Sequence, residues 1–447
     1  MPPSELTAAG RYIILAAAFL GWTFSGFQMA VMTLASRSAT TEFLRRGQLS
    51  ATQMLQLERL FVLPTAAATL PEPPSNEAEA LKAIVPRWFS WYNAAFLFGA
   101  ACGGLIFGWL GDHLGRVRSM GASIFCFSLF SAIGYFSATP EQLLLSRFLA
   151  ALGVGGMWPT GISLASEAWS EGSRPMVAGM LGTSANVGLV ILNGLGYVYR
   201  VDPTSWRWTL LVCAAPIVLA FIVWLGVPES RRWLAARKSG ATGSVSMATV
   251  FRPPLLRLTL IGIALGTIPI LGGWGATQWF IPWADKVGGA ADPRAKALAG
   301  IMRSSGAMIG GLIGGWLANL SGRRLTYFLV SLSSLVLGEF IYLRLTPSDP
   351  SFWAFVFALG FISTIFFGWL PLYLPELFPT YARATGSGVS FNFGRILSAF
   401  GVLMAGAITG YFHEDYGRAG SITTLVFGLG MIVILFAPDT TKEKLAD

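Results

Sequence analysis

The sequence predicts an all-α integral membrane protein with twelve transmembrane helices in two pseudo-symmetric six-helix bundles. Three observations predict it. Hydrophobic side chains make up 54% of the 447 residues and charged ones only 12%, about half the roughly 25% that a water-wrapped domain carries. Apolar stretches of about 20 residues, enough to span a bilayer, recur along the whole chain. Finally, a polar hairpin is written twice: Gly108-Trp-Leu-Gly-Asp112-His-Leu-Gly-Arg116-Val-Arg118 returns about 207 residues later as Gly315-Trp-Leu-Ala-Asn319-Leu-Ser-Gly322-Arg323-Arg324. Glycine permits the tight reversal, and arginine holds such a turn on the cytoplasmic side.

In chain order, apolar runs bounded by charge or proline place spans at roughly 11–35, 88–111, 118–137, 141–165, 174–198, 206–227, 257–281, 297–320, 325–345, 352–374, 382–411 and 419–437. The first has no small-residue cleavage pattern and is kept as a span, not a signal peptide. Residues 36–87 form a long outer loop. Within it, Ser50 to Phe61 has helical apolar spacing behind a capping serine, and Pro64 to Pro74 is extended; the segment reads as a decorated loop or a lid over the outer mouth. Residues 228–256, polar and basic, divide an N-terminal bundle (1–227) from a C-terminal bundle and short tail (257–447). Loop Arg and Lys gather on the hairpin side, which puts both termini in the cytoplasm and the protein in the cell (inner) membrane.

Several function classes drop out. The formal charge of +9 is scattered over short loops and forms no stripe for nucleic acid. Cys102, Cys126 and Cys213 all lie in apolar runs, where they staple no external loop. No Gly-x-x-x-x-Gly-Lys phosphate loop occurs, so ATP does not drive the protein directly. The two histidines, His113 and His413, sit near loops without metal-ligand spacing, so no metal or cofactor is expected. No nucleophile–base pair falls in the spans, and the chain is not read as an enzyme. Duplicated halves instead hold a small molecule between them near the midplane and rock to expose it to each side. A single copy in the lipid bilayer suffices, so a monomer is expected.

Further signatures repeat in the same register. Glu167 and Arg174 follow the fourth span as Glu376 and Arg383 follow the tenth; Pro228-Glu229-Ser follows the sixth as Pro438-Asp439-Thr follows the twelfth. With Arg147-Phe-Leu-Ala-Ala-Leu-Gly153-Val-Gly155-Gly, Trp206-Arg-Trp208, Pro228-Glu-Ser-Arg-Arg-Trp233-Leu and Pro375-Glu-Leu-Phe-Pro-Thr-Tyr-Ala-Arg383-Ala-Thr-Gly386, the chain resembles the major facilitator superfamily. It is most similar to the sugar-porter and organic-ion branches, including the bacterial sialate and aromatic-acid proton symporters, over everything but residues 36–87.

The resemblance implies roles. Asp112, Arg116, Glu167, Arg174, Glu229, Arg323, Arg324, Glu376 and Arg383 would form a charge network that latches the outward-facing state, a conformational role. Asn319, standing where the first copy has Asp112, implies a weaker second latch. Arg147 would pair with a titrating acid on the first span, but Ser25-Gly26-Phe27-Gln28-Met29 puts the amide Gln28 at that position. An amide exchanges no proton near neutral pH. Met157 is likewise apolar where sialate-type relatives carry glutamate. A coupling proton or ion then needs another acid, or the protein is a facilitator or exchanger.

Charge inside a span is costly and marks function by default. Arg395 falls near the middle of the eleventh span with Asn392 one turn away on the same face, and the repeat sets Asn186 and Thr183 opposite them. Arg395 reads as a substrate contact, or as a cation neutralised by Glu339 or helix carbonyls. Arg303, in the outer third of the eighth span, divides between site and structure. Glu339 reads as a local ion pair with Arg344. Trp274, Gln278, Trp279, Phe280 and Trp283 on the seventh span offer an apolar wall with one polar handle, or interface anchors. Trp369 and Tyr373 on the tenth span, and Gln28, complete the expected contacts. Three buried arginines against one glutamate favour an anion, because a guanidinium offers paired donors to a carboxylate. The expected function is alternating-access transport of a small organic anion, a carboxylated metabolite. The alternatives are a facilitator of a neutral sugar or polyol and a transport-inactive solute sensor. Glycines at four-residue spacing (Gly99/Gly103, Gly104/Gly108, Gly311/Gly315) read as helix-packing positions.

Overall fold

The computed structural model describes residues 7–47, 77–169, 174–239, 247–288, 291–379, 382–413 and 415–440. Among them, twelve helices are long and apolar enough to cross a membrane. The N-terminal bundle comprises α1 (Ala8–Arg45), α2 (Glu77–Leu114), α3 (Arg116–Tyr135), α4 (Pro140–Ala168), α5 (Arg174–Val198) and α6 (Trp208–Gly226). The C-terminal bundle comprises α7 (Leu256–Gly288), α8 (Ala295–Ser321), α9 (Arg323–Arg344), α10 (Pro350–Glu376), α11 (Arg383–Tyr411) and α12 (Tyr416–Phe436). Each bundle buries its own apolar core, around Ile124, Phe127 and Val154 in the first and Tyr327, Phe366 and Trp369 in the second. Every expected span has a helix.

Two helices run on into the expected outer loop. α1 continues to Arg45 because the added turns are held: the Thr40 and Thr41 hydroxyls donate to the Ser36 and Arg37 carbonyls. Beyond them the buried Glu42 carboxylate accepts from Trp206 Nε1 at 2.6 Å and from Arg207. This gives the Trp206-Arg-Trp208 motif a mechanical purpose, since Arg207 also donates to the Tyr135 and Ser137 carbonyls. The turn before it is set by Asp202. Its carboxylate lies below the ordinary range, chiefly through the hydrogen bond from the Thr204 hydroxyl. The expected helix at Ser50 to Phe61 and the extended Pro64 to Pro74 lie outside the described residues.

The hairpins superpose the two halves in chemical detail. Gly115 and Gly322 take φ of +112° and +89°, a region that L side chains rarely adopt, so glycine is required at both reversals. Close helix packing is duplicated too. A Cβ on Gly103 would stand 1.9 Å from the Leu152 carbonyl oxygen of α4, and one on Gly310 would stand 1.9 Å from the Phe361 carbonyl oxygen of α10. Small residues let backbones approach in this way. Gly108, by contrast, has open space where a Cβ would stand.

α7 is not one continuous α-helix. It runs Leu256–Leu271, widens to a π-helical turn over Gly272–Ala276, tightens to a 3-10 turn over Thr277–Trp279 and resumes at Phe280. Pro269 and the glycines of Gly272-Gly-Trp-Gly supply the cause. The Ala276 carbonyl is taken up by the Tyr342 hydroxyl at 2.7 Å. Broken helices of this kind are tolerated at membrane depth where protein re-satisfies the backbone.

Candidate functional site between the two bundles

The bundles meet along two seams. On one, α2 lies against α11: a Cβ on Gly406 would touch Ser90, one on Gly104 would touch the Asn392 amide, and Arg395 reaches the Ala100 carbonyl. On the other, α5 lies against α8: Gly196 nears Ala297, Gly300 nears Asn193, and Gly311 nears Thr183. These contacts run from the end opposite the hairpins, the far end, to mid-depth. Toward the hairpin end, Gly179 and Gly182 on α5 and Gly388 on α11 face open space.

Arg395 stands at mid-depth on α11, half-buried. One guanidinium nitrogen donates to the Ala100 carbonyl at 3.2 Å and to Asn392 Oδ1 at 3.4 Å, and the group lies 4.7 Å over the Phe391 ring. Among the described residues it has no carboxylate partner. Glu339, the acid expected to compete for it, instead accepts from the Ser421 hydroxyl at 2.5 Å. The expected local pair between Glu339 and Arg344 does not form either: Arg344 is exposed, while the Glu339 carboxylate turns to α12.

Arg303 is the second open cation. Along α8, residues 297, 300 and 311 face α5 while 306, 310 and 314 face α10, and helical periodicity puts position 303 where those two faces meet. Its buried Nε has no hydrogen-bond partner, and no carboxylate meets it among the described residues. Further toward the hairpin end of α5, opposite Gly311, Thr183 is buried with an unsatisfied hydroxyl, and Asn186 is half-buried on the same helix.

The break in α7 carries the aromatic wall. Trp274 stacks on Phe96 of α2 with centroids 5.0 Å apart, and so joins the bundles. Trp274 and Phe391, the ring under Arg395, pack against the same cluster of Ala94, Leu97, Ile270, Ala399 and Val402. Gln278 is 3% exposed and its side-chain oxygen has no partner. Trp279 is 2% exposed with an unpartnered indole N–H and sits edge-on to Phe89 at 4.8 Å. Trp283 is buried among Tyr342, Phe352 and Tyr416, inside the C-terminal bundle and not at a lipid surface.

Three expected contacts lie elsewhere. Gln28 is committed inside the N-terminal bundle: its side-chain oxygen accepts from Arg147 at 2.8 Å and Ser131 at 2.9 Å, and its amide nitrogen donates to the Cys213 carbonyl at 3.0 Å. Arg147 also donates to the Gln28 carbonyl at 2.6 Å. The pair is thus a knot of α1, α3, α4 and α6; the Arg147 Nε has no hydrogen-bond partner, and the guanidinium lies 5.8 Å over the Phe96 ring of α2. Trp369 and Tyr373 are fully buried in the C-terminal core, where they donate to the Arg323 and Pro438 carbonyls. The aromatic face of α10 that carries them points into its own bundle.

The charge network closes within each bundle. Arg116 bonds Asp112 and Glu167, while Glu229 accepts from the Arg116 and Val117 backbone N–H groups, an acid at a helix N-terminus. Arg323 donates to Glu376 at 2.8 Å and to Asn319 at 2.6 Å. Ser230 donates to Glu167 as Thr440 donates to Glu376. Asn319 thus keeps the contact geometry of Asp112 without its charge. Arg324 caps the end of α12 through the Ile434 and Leu435 carbonyls, and Arg383 opens α11. The Arg174 side chain lies outside the described residues.

One cluster had no place in the sequence reading. At the far end, Asp285 of α7 lies 3.3 Å from Lys296 of α8 and 3.9 Å from Arg37 of α1, and Lys296 donates to the Val201 carbonyl at 2.7 Å. It ties the two bundles across the cleft. Read as loop charges, these residues gave no sign of it: Lys296 is 4% exposed only because the bundles close over it.

Comparison with known proteins agrees with this architecture. A family model described as Major Facilitator Superfamily matches residues 74–402. The chain is 27% identical over 384 residues to the inner membrane metabolite transport protein YgcS of Escherichia coli, covering 80% of this chain and 84% of that one. It is 27% identical over 347 residues to the cis,cis-muconate transport protein of Acinetobacter baylyi, covering 76% and 79%. Among solved structures, the xylose transporter XylE from E. coli, in its inward open conformation, aligns with a TM-score of 0.68 at 16% identity, covering 97% and 98%.

Proposed function

We propose, for a chain that belongs to the Major Facilitator Superfamily and so moves a small molecule across a membrane, that the molecule is a small organic anion carried by alternating access. One observation carries this reading: Arg303 and Arg395, on the C-terminal helices that form the two seams with the other bundle, have no carboxylate partner among the described residues. A guanidinium held in low dielectric without a counter-charge is costly. A carboxylate from the substrate supplies that charge with paired donors to receive it. Asn392, Asn186 and the unpartnered Gln278 oxygen add neutral polar groups, and Trp274 and Trp279 the apolar wall. The relative named for cis,cis-muconate fits an organic carboxylate.

The Arg147–Gln28 knot holds no titratable acid, so proton coupling does not run through it, and the protein works as a facilitator or exchanger or couples through another acid. We place the chain in the inner membrane as a monomer with both termini cytoplasmic, residues 228–256 joining bundles that span 1–227 and 257–447. The test is binding to the purified protein, read by thermal shift, of cis,cis-muconate, gallate and nicotinate against xylose and a quaternary amine. Stabilisation by a carboxylate and not by xylose is expected. Stabilisation by xylose alone transfers the assignment to a neutral sugar. Carboxylate binding without flux in vesicles makes the protein a sensor.

A further inference from the structure

Among the described residues, the far-end cluster brings two cations to one acid, Asp285, and that acid is a carboxylate like the cargo proposed above. Asp285 sits between Lys296 and Arg37, with side-chain exposures of 14%, 5% and 25%. Nearby, Lys286 lies over the Tyr416 ring at 5.7 Å and Arg294 over Tyr197 at 5.3 Å. Lys296 and Arg303 are seven residues apart on α8, two turns, so they share one face about 10 Å apart along the axis, where the sides toward α5 and α10 meet. A row of cations therefore leads from the far end, through Arg303, to mid-depth. Asp285 is the acid that occupies its outermost position.

We propose that Lys296 and Arg37 form an outer docking site for the carboxylate of an organic anion, and that Asp285 is its intramolecular stand-in. With the far end closed, Asp285 holds the two cations and joins the bundles. An arriving carboxylate takes Asp285's place on Lys296, the tie between α7 and α1 is released, and the far end opens around the bound anion. When the anion moves inward to Arg303, Asp285 returns and closes the cleft behind it. The two cations are never left without a carboxylate: one replaces another, and the displaced Asp285 is received by water as the far end opens. The proposal rests on the organic-anion reading, and adds to it a first binding position and a reason for the gate to respond to cargo.

The test uses the full-length protein in lipid nanodiscs, with radiolabelled cis,cis-muconate as probe. Spin labels at Tyr199→Cys and Val287→Cys, exposed positions on the two bundles at the far end, report its opening; the three native cysteines are replaced by serine. Asp285→Asn removes the competitor and is expected to lengthen the label distance without ligand and to tighten muconate binding about fivefold. Lys296→Gln removes the docking cation and is expected to lengthen the distance as well but to weaken binding about fivefold. Opposite signs on affinity with the same sign on opening is the result that supports the proposal. A plain gate moves both variants the same way in affinity, or leaves affinity untouched; either result overturns the stand-in role. Should Lys296→Gln fail to fold, Arg37→Gln removes the other docking cation with the same expected signs; should Asp285→Asn fail to fold, Asp285→Ala takes its place. If the unaltered protein binds xylose and no carboxylate, the anion reading itself fails, an outcome distinguishable from wild-type muconate binding that neither variant alters.

Discussion

Arg147 and Arg395 are both guanidinium groups held within membrane helices, and the two bundles treat them oppositely. The N-terminal bundle wraps Arg147 in its own groups: it is 1% exposed and takes both oxygens of Gln28, whose amide is in turn fixed by Ser131 and the Cys213 carbonyl. The C-terminal bundle leaves Arg395 to a single carbonyl of the opposite bundle and a long contact to Asn392, and gives Arg303 no partner among the described residues. At the hairpins the same two bundles are near copies. The duplicated chain thus has like hairpins and unlike groups in the space between its halves. On the function proposed, a cation held inside its own bundle belongs to the scaffold, and a cation left to the cleft is available to cargo.

The sharpest way to break this distinction is to neutralise the open cation. Arg395→Gln is expected to weaken muconate binding about 100-fold, the loss of a charge-assisted pair in a partly desolvated site, with the unfolding midpoint little changed. Retained muconate binding would place the cargo elsewhere. Neutralising the support of the closed cation should do the reverse. Gln28→Leu strands a buried guanidinium and is expected to cost about 3 kcal/mol of stability, read as a lowered thermal unfolding midpoint. Adding Arg147→Met to it is expected to restore most of that loss, because removing both partners leaves nothing unsatisfied. If the double variant folds well yet carries no substrate, Arg147 belongs with the cargo after all.

The same contrast decides what could be read without coordinates. The hairpins were legible because glycine, acid and arginine recur in one register, and Gly115 and Gly322 prove to hold the positive φ that only glycine tolerates. Arg395 was legible because a charge amid apolar residues has few explanations. What escaped were directions and partners. Gln28, Trp369 and Tyr373 lie on the right helices, but their polar atoms turn into their own bundles, a choice made by distant carbonyls such as those of Cys213, Arg323 and Pro438. Asp285 and Lys296 have ordinary loop sequences, and their burial arises only when α1, α7 and α8 converge. The break in α7 did carry a local signal, Pro269 followed by three glycines in four residues of Gly272-Gly-Trp-Gly, which an apolar-run count passes over.

Between the hairpins, the comparison is one of near equality, and smaller effects test it. Arg116→Ala and Arg323→Ala each strip a half-buried acid, Glu167 or Glu376, of its cation. Each is expected to lower stability by about 1–2 kcal/mol, and the two losses should agree closely in unfolding experiments. A loss confined to one bundle would show that only one hairpin is held by its charges.

Around the hairpin arginine, the copies differ in charge at the residue four before it, Asp112 in the first and Asn319 in the second. Both are exposed, and both accept from the arginine one turn on. Geometry is therefore already in place for Asn319→Asp, and the substitution changes charge alone. An added i, i+4 pair on a helix surface contributes roughly 0.3–0.5 kcal/mol, and repulsion from Glu376, which shares Arg323, takes back part of it. The first hairpin shows that Asp112 and Glu167 coexist around one arginine, so the net effect should stay favourable. A small rise in the unfolding midpoint at low salt, lost at 1 M salt where the Debye length is about 3 Å, is expected. A fall, or a rise indifferent to salt, would mean that the amide was retained in the second copy for its neutrality.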